Sequence, residues 1–204
     1  MMKILNPARF NQAIAHFDAL NKLDPNLEIV AGESHPKELL YAQRMTEMLN
    51  RFAPEASEIL QLAVRCQHIQ RWKIPRTSHP MTKAGYHQWR NQLKTFHANI
   101  AQSILQDIGY DEYTTNRVCS LIRKDSLLTD AETQTLENIV VLVFLESYLE
   151  TFVSTHSDYE TSKFEDILKK SLLKMSAEAR ALIPEMIRVP QDLEAIIQKV
   201  SDSI

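Results

Sequence analysis

The residues best suited to chemistry lie in one basic interval of the sequence. No Asp or Glu occurs between Glu58 and Asp107, whereas seven Lys and Arg, four His and both Trp residues occur there. The whole chain of 204 residues nevertheless has a net charge of −3, so the remainder is strongly acidic. Because clustered cations repel one another unless something negative offsets them, the interval predicts an anion site. The alternative is a solvated face whose bases pair with carboxylates from other helices.

Arginine is the residue type that favours phosphate, because its guanidinium forms two parallel hydrogen bonds with an oxyanion. Arg65, His68 and Trp72 are spaced i, i+3 and i+7, which predicts that one helix face presents all three. Tryptophan rings beside these bases could cover a ligand. The candidate substrate-binding residues are Arg65, Arg71, Trp72, Arg76, Trp89, Arg90 and Lys124.

The composition excludes several classes of protein. Gly32, Gly85 and Gly109 are the only glycines, so no Rossmann, Walker A or nucleophile-elbow motif can be written, and no nucleotide cofactor is indicated. Cys66 and Cys119 are far apart and form no disulfide framework or zinc pattern. The longest apolar run, Ile139 to Leu145, is much shorter than the ~20 residues of a membrane span. With no signal-peptide pattern either, we expect a cytoplasmic protein without a membrane partner.

Hydrophobic spacing and capping residues predict an all-α fold, a single helical bundle of about seven to nine helices over residues 1–204. A loop is expected over 23–34 and an extended segment from Lys73 to Pro80. Thr129 and Glu132 match a capping box. A C-terminal helical appendage is expected at about 185–204. The predicted helices run from Asn6 to about Lys22, Pro36 to Phe52, Pro54 to about Trp72, Thr82 to Ile108, Asp111 to about Lys124 and Thr129 to about Thr155, with shorter ones from about Asp158, Ser176 and Pro190.

Seven short blocks of this sequence resemble those of the domain-of-unknown-function family 4202, over about residues 36–180. The blocks are Lys37–Tyr41, Gln67–Arg76, Gly85–Arg90, Phe96–Ala98, Gln134–Asn138, Leu142–Glu146 and Lys174–Ser176. The family usually has Asp where this chain has Asn138. Some members are labelled glutamyl-tRNA synthetases, but the His-x-Gly-His signature of that enzyme class is absent here. We therefore expect that the protein is not a tRNA synthetase.

The predicted helix order also resembles that of HD-type phosphohydrolases, which makes the bundle HD-like. The resemblance places Glu38 near the first ligand position, Gln67-His68 where the His-Asp pair would stand, and Glu146 near the last position. It implies a metal set of Glu38, His68, His97 and Glu146, suited to one divalent Mn, Fe, Ni, Co or Zn ion. His68 and Glu146 would then be catalytic. The alternative is that the fold is retained and the metal is lost.

Three functional hypotheses follow. The first is an uncharacterised helical protein that binds a phosphorylated or nucleotide-like small molecule, with metal-dependent phosphohydrolase activity if it is catalytic. The alternative is a non-catalytic RNA- or tRNA-binding protein that uses the basic segment 65–97, with Trp72 and Trp89 as stacking platforms. The net charge of −3 counts against a binder of long polyanions. The third is a structural adaptor, and the oligomeric state is left open.

Overall fold

The computed structural model describes residues 4–127, 129–156 and 161–204, and helices dominate it, which confirms the all-α prediction. Among the described residues, no helix is both long enough and apolar enough to span a membrane. The elements are α1 (Pro7–Asn21), β1 (Leu27–Val30), β2 (Glu33–Pro36), α2 (Lys37–Phe52), α3 (Glu58–Cys66), α4 (Lys83–Asp107), α5 (Glu112–Arg123), α6 (Ala131–Ser147), α7 (Leu149–Thr155), α8 (Thr161–Leu172), α9 (Ala177–Ala181), α10 (Ile183–Met186) and α11 (Gln191–Ser201).

The chain forms two compact units, Met1–Thr133 and Gln134–Ile204, and each is described by itself. In the first unit, helices α1 to α5 surround an apolar core. Its largest fully buried side chains are Phe17, Met45, Met48, Leu49, Leu62, Ile69, Leu93, Leu105 and Leu121. Helix α4 packs along α5, and α3 also contacts α5. Helices α3 and α4 thus lie beside the same partner helix.

The ends of α4 follow from local sequence. Thr82 caps its first turn by accepting a hydrogen bond from the Gly85 N–H at 3.1 Å. Gly109 has φ +85° just beyond its end, where glycine avoids the steric penalty of this conformation. The N–H of Tyr110 donates to Leu105 O at 2.9 Å, so the helix ends in a Schellman motif. The predicted stop at Gly109 is confirmed.

Two predictions for the first unit are wrong. The predicted loop 23–34 contains an antiparallel hairpin that pairs Leu27 with Pro36, and four-residue strands leave little period for sequence reasoning to detect. Helix α3 begins after Ser57 and ends at Cys66, because the turn that follows takes Gln70 into the left-handed region at φ 53°. The chain then makes two short 3-10 turns, Arg71–Lys73 and Arg76–Ser78.

The second unit contains the apolar helix α6 from Gln134 onward. Ile139, Leu142 and Leu145 of that helix are buried, as the apolar run predicted. The predicted capping residue is wrong, because Asp130 Oδ1, not Thr129, accepts the Thr133 N–H at 2.7 Å. The predicted long helix is interrupted at Tyr148, which separates α6 from α7. The helix start predicted at about Asp158 lies outside the described residues.

Candidate functional site

The turn after α3 positions His68 and Arg71. Cys66 is the last residue of α3, and the left-handed Gln70 redirects the chain two residues after His68. The Gln70 N–H donates to Asn21 Oδ1 of α1 at 2.9 Å, which fixes this unusual conformation. Arg65, His68 and Trp72 therefore do not share one helix face, and that prediction is wrong. A left-handed residue other than glycine is held here by its surroundings.

His68 is held from both sides of its ring. It stacks on Tyr41 with ring centroids 4.4 Å apart and an interplanar angle of 15°. Arg71 Nη1 lies 3.2 Å from His68 Nε2, and because a guanidinium only donates, Nε2 must accept. The ring proton is therefore on Nδ1, which lies 3.8 Å from Glu38 Oε2. Burial, together with Arg71 and other nearby cations, lowers the pKa of His68 well below its usual value, so the ring is neutral.

Glu38 stands in the first turn of α2 with a buried side chain. Its backbone N–H donates to Asp24 Oδ2 at 3.0 Å, which anchors the start of the helix. Burial raises the pKa of Glu38 to about 7, and Arg71 opposes this shift. Glu38 therefore exchanges its proton near neutral pH, beside the Nδ1–H of His68.

His97 is the second buried histidine of this region and is only 2% exposed. Its Nδ1 lies 2.8 Å from the carbonyl oxygen of Ile69, and because a carbonyl only accepts, Nδ1 carries the proton. His97 Nε2 is therefore a bare acceptor, and it is buried without a hydrogen-bond partner among the described residues. Burial lowers the pKa of His97 to about 3, so the ring stays neutral. The rings of His68 and His97 lie 5.8 Å apart.

Four basic side chains surround the space beside these histidines. We call it the cation cavity, lined by Arg71, Arg90, Lys94 and Lys124 with His68, His97, Gln67 and the apolar Leu93 and Ile122. Its enclosed volume is about 20 Å³, roughly the room that one water molecule needs. No carboxylate of the described residues lines it. The structure thus brings together four of the predicted site residues, Arg71, Arg90, Lys124 and His68, with the predicted metal ligand His97.

A wider groove adjoins the cation cavity and shares Arg71 with it. We call it the tryptophan groove; its volume is about 520 Å³, and Trp72, Ile74, Arg76 and Trp89 are among its lining residues. The Arg71 guanidinium carbon lies 4.8 Å from the centroid of the Trp89 ring, a cation–π contact. Trp89 also donates its indole N–H to Ile74 O at 2.8 Å. Trp89 is thereby fixed in the wall of the groove.

Arg76 holds the loop that forms one side of this groove. Its guanidinium donates to the carbonyl oxygens of His79, Pro80 and Thr82 at 3.1, 2.8 and 3.3 Å. The same loop approaches α4 so closely that a Cβ on Gly85 would stand 2.1 Å from Pro80 O. The Arg76 guanidinium is therefore occupied by the backbone, and only a glycine fits at Gly85.

Arg65 does not line the cavity. It forms a bidentate ion pair with Asp18, with both N–O distances 2.7 Å, so its charge is offset within the fold. Glu146 and Asn138 belong to α6 in the second unit, where the Glu146 side chain is half-buried. Asn138 Oδ1 accepts the backbone N–H of Ser176 at 3.0 Å, so Asn138 supports the turn before α9. Ser176 in turn caps α9, as its sequence position predicted.

Sequence reasoning missed Tyr41 and Lys94 as site residues. Arg90, Lys94 and His97 are spaced i, i+4 and i+7 on α4, and this spacing could have indicated Lys94. Tyr41 follows Glu38 by three residues and so shares its helix face, although nothing in the sequence indicates that its ring stacks on His68. Tyr41 belongs to α2 and Lys94 to α4, and both lie near His68, which the turn after α3 positions.

The predicted metal ligands are not assembled as a group. Within residues 4–127, 129–156 and 161–204, no three His, Cys, Asp or Glu side chains are arranged to hold a metal ion. Glu38, His68 and His97 lie in the first unit, but cations line the space between the histidines. The metal site therefore stays a prediction.

Comparison with known proteins supports one assignment. No curated protein and no solved structure matches the chain. A family model, domain of unknown function DUF4202, matches residues 11–197, which extends beyond the expected 36–180 at both ends. The matched range includes the whole cation cavity. The chain therefore belongs to the DUF4202 family.

Proposed function

We propose that the first unit binds a phosphorylated small molecule, with the phosphate at the cation cavity and the organic part in the tryptophan groove. One observation carries this proposal: four basic side chains converge on a cavity whose lining contains no carboxylate. Arg71 and Arg90 form no ion pair with a carboxylate among the described residues, and cations held close together favour an anionic ligand. The basic interval of the sequence supplies three of the four, Arg71, Arg90 and Lys94.

The two arginines are free to accept such a ligand. Neither Arg71 nor Arg90 forms an ion pair with a carboxylate among the described residues. Burial lowers the pKa of Arg71, and Arg90 lowers it further, whereas Glu38 raises it. A bound dianion would offset the repulsion between the two guanidinium groups and the cost of burying the charge of Arg71. Both side chains can then donate paired hydrogen bonds to phosphate oxygens.

The volume of the tryptophan groove indicates the size of the ligand. Its volume of about 520 Å³ lies within the range of small-molecule pockets. Trp72 and Ile74 supply apolar contact, and Lys37 supplies a further positive charge. Because Arg71 lines both spaces, a phosphate at the cavity leaves its substituent in the groove. A phosphorylated metabolite or mononucleotide has this shape.

The groove favours a small molecule over RNA. An RNA-binding surface needs exposed rings on which successive bases stack. Trp89 is only 8% exposed, and its ring already contacts Arg71. This leaves Trp72 as the one tryptophan with a half-buried, accessible ring. One accessible tryptophan ring beside a small cavity can contact one ring or one short chain of a small-molecule ligand.

Metal-assisted phosphoester hydrolysis is a second, alternative form of this proposal, in which His97 Nε2 would hold a metal ion instead of accepting a hydrogen from the ligand. The neutral His97 with its bare Nε2 is the observation that favours it, since neutral imidazole is a common metal ligand. Elemental analysis of the wild type beside His68→Ala and His97→Ala tests it. Near-stoichiometric metal in the wild type that is lost in both variants is expected if the hydrolase is metal-dependent. Absence of metal after reloading would remove this form and leave binding alone.

The binding proposal is tested by calorimetric titration with inorganic phosphate on the wild type, Arg90→Gln and Lys83→Gln. Both substitutions remove one positive charge from α4, but Lys83 is exposed at its start and does not line the cavity. We expect Arg90→Gln to weaken binding about tenfold or more, the loss of a charge-assisted hydrogen bond, and Lys83→Gln to change it little. Equal weakening by both would indicate a diffuse charge effect and contradict a built site.

A further inference from the structure

We propose that His97 makes the cation cavity selective for oxyanions that carry a P–OH hydrogen, namely hydrogen phosphate and singly protonated phosphate monoesters, over sulfate and phosphodiesters. The inference rests on the proposed function, because it concerns the same cavity. It adds a specificity-determining residue and narrows the class of ligand.

The fold fixes the tautomer of His97. The Ile69 carbonyl accepts the Nδ1–H at 2.8 Å, and this leaves a lone pair on Nε2. Rotating the ring would leave the Ile69 carbonyl without its donor, so the protein holds this orientation. With its pKa lowered to about 3 by burial, His97 does not acquire a second proton at neutral pH. His97 lines the cavity, and Nε2 of its neutral ring can accept a hydrogen bond but cannot donate one.

This acceptor is buried and unsatisfied. The residue is 2% exposed, and Nε2 has no partner among the described residues. Buried polar atoms in folded proteins are nearly always hydrogen-bonded, so the exception indicates a missing partner. That partner must bring a hydrogen. The nearby His68 Nε2 cannot provide one, because it already accepts from Arg71.

The size of the cavity matches one oxygen atom of a ligand. Its volume of about 20 Å³ admits one water-sized group. A hydroxyl oxygen of phosphate can take this place and donate to Nε2, while the other oxygens face Arg71, Arg90 and Lys124. The three basic side chains can donate to the three oxygens that carry no hydrogen, and His97 Nε2 can accept from the P–OH. Hydrogen phosphate carries this set of groups.

Sulfate tests this reading because it has the same shape and charge but no hydrogen at neutral pH. Its oxygen would face the Nε2 lone pair, leave a buried acceptor unpaired and lose about ten- to a hundredfold in affinity. A phosphodiester, as in RNA, also lacks the hydrogen. A phosphate monoester loses it above its second pKa of about 6, whereas inorganic phosphate keeps one hydrogen through the neutral range.

The experiment is a calorimetric titration at pH 7.5 with inorganic phosphate and with sulfate, on the wild type, His97→Gln and His87→Gln. His87 is an exposed histidine on the same helix and serves as the matched control. We expect the wild type and His87→Gln to prefer phosphate by about ten- to a hundredfold. The glutamine amide can present either an oxygen or an N–H, so His97→Gln should bind the two anions within about threefold.

Three outcomes would overturn the inference. Equal binding of both anions by the wild type would refute the selectivity and leave the proposed function standing. A preference retained in His97→Gln would assign the selectivity to another residue. Binding of neither anion would refute the proposed function and this inference with it.

A second measurement needs no variant and so does not depend on the folding of His97→Gln. The affinity of the wild type for methyl phosphate and for inorganic phosphate is followed from pH 5.5 to 8. Methyl phosphate should weaken as its hydrogen is lost, by up to about tenfold for each pH unit above 6 to 7, while inorganic phosphate should not. Tighter binding of methyl phosphate as its dianion forms would contradict the proposal.

Discussion

Two clusters of charge in the first unit use arginine in opposite ways. Arg117 of α5 pairs with Asp130 at 2.6 Å and with Glu132 at 2.8 Å, and Glu132 accepts the hydroxyl hydrogen of Ser57. In the cation cavity, Arg71 and Arg90 have no such carboxylate among the described residues. Arg117 is thus paired with carboxylates inside the fold, whereas Arg71 and Arg90 have no carboxylate partner among the described residues.

The difference separates residues that serve stability from residues that serve binding. Asp130 caps the start of α6 and contacts Arg117, which lowers the pKa of Asp130 to about 2. Arg117 and Asp130 therefore stabilise each other's charged form in the folded protein. The cation cavity is lined by two neutral histidines and a buried guanidinium of lowered pKa, and Glu38 beside His68 has a pKa of about 7. Such perturbations collect at functional sites.

The largest effect is expected from Gly85→Ala, which disturbs the loop at one side of the tryptophan groove and leaves the Arg117 cluster intact. A Cβ at Gly85 would stand 2.1 Å from Pro80 O, so the loop or the helix must shift. We expect a loss of about 3 kcal/mol in the free energy of unfolding, measured by urea denaturation, and weaker phosphate binding. The control is Ala84→Ser at the exposed neighbouring position, which should change stability by less than about 0.5 kcal/mol. A stable Gly85→Ala with unchanged phosphate affinity would show that the close approach is not needed.

An intermediate effect is expected from Glu38→Gln, which replaces a buried carboxyl group of raised pKa with a neutral amide. It sharpens the comparison with Asp130, whose pKa is lowered. The folded protein holds the Glu38 proton up to pH about 7, whereas the unfolded chain releases it near the ordinary 4.5. Wild-type stability should therefore fall as pH rises from 4.5 to 7. Because glutamine does not ionise, the Glu38→Gln variant should not lose stability over this range. Its free energy of unfolding should exceed that of the wild type by about 2 kcal/mol at pH 8 and should equal it at pH 4.5.

The measurement for Glu38 is thermal or urea unfolding as a function of pH. Glu33→Gln, an exposed position on the preceding strand, is the control. A Glu38→Gln variant with the same pH profile as the wild type would contradict the buried, proton-holding carboxyl.

The smallest effect is expected from Arg117→Gln, which removes the cation of the satisfied cluster. The pKa of Asp130, about 2, lies below its ordinary 3.8, so the pair stabilises the fold above pH 4, and this stabilisation is lost as pH falls toward 2. We expect a loss of about 1 kcal/mol at pH 7 that shrinks in acid, measured by urea unfolding. Phosphate affinity should be unchanged. A large loss of binding without loss of stability would reverse the roles assigned to the two clusters.

Much of the fold could be predicted because its signals are local. Asn6, Asp111 and Ser176 cap helices from their own side chains, and Gly109 ends α4 through its own conformation. The hairpin escaped prediction because its strands are short. The end of α3 escaped because the left-handed Gln70 depends on Asn21, far away in sequence.

The sequence could predict which residues belong to the candidate site, but not how their side chains are arranged. The acid-free interval indicated Arg71, Arg90, His68 and His97 as candidate site residues, and all four line the cation cavity. It could not show that Arg65 is neutralised by Asp18, since a tertiary ion pair leaves no mark in the interval itself. Nor could it show which histidine nitrogen is bare, because the backbone carbonyl of Ile69 decides that.

The most direct measurement of the central claim is nitrogen NMR of the histidine side chains during titration with inorganic phosphate. The free protein should show His97 as a neutral ring protonated on Nδ1, with an acceptor signal from Nε2. Saturation with phosphate should shift the His97 Nε2 and His68 signals together and leave the exposed His87 unchanged. Phosphate that binds without moving His97, or a His97 protonated on Nε2 in the free protein, would contradict the account.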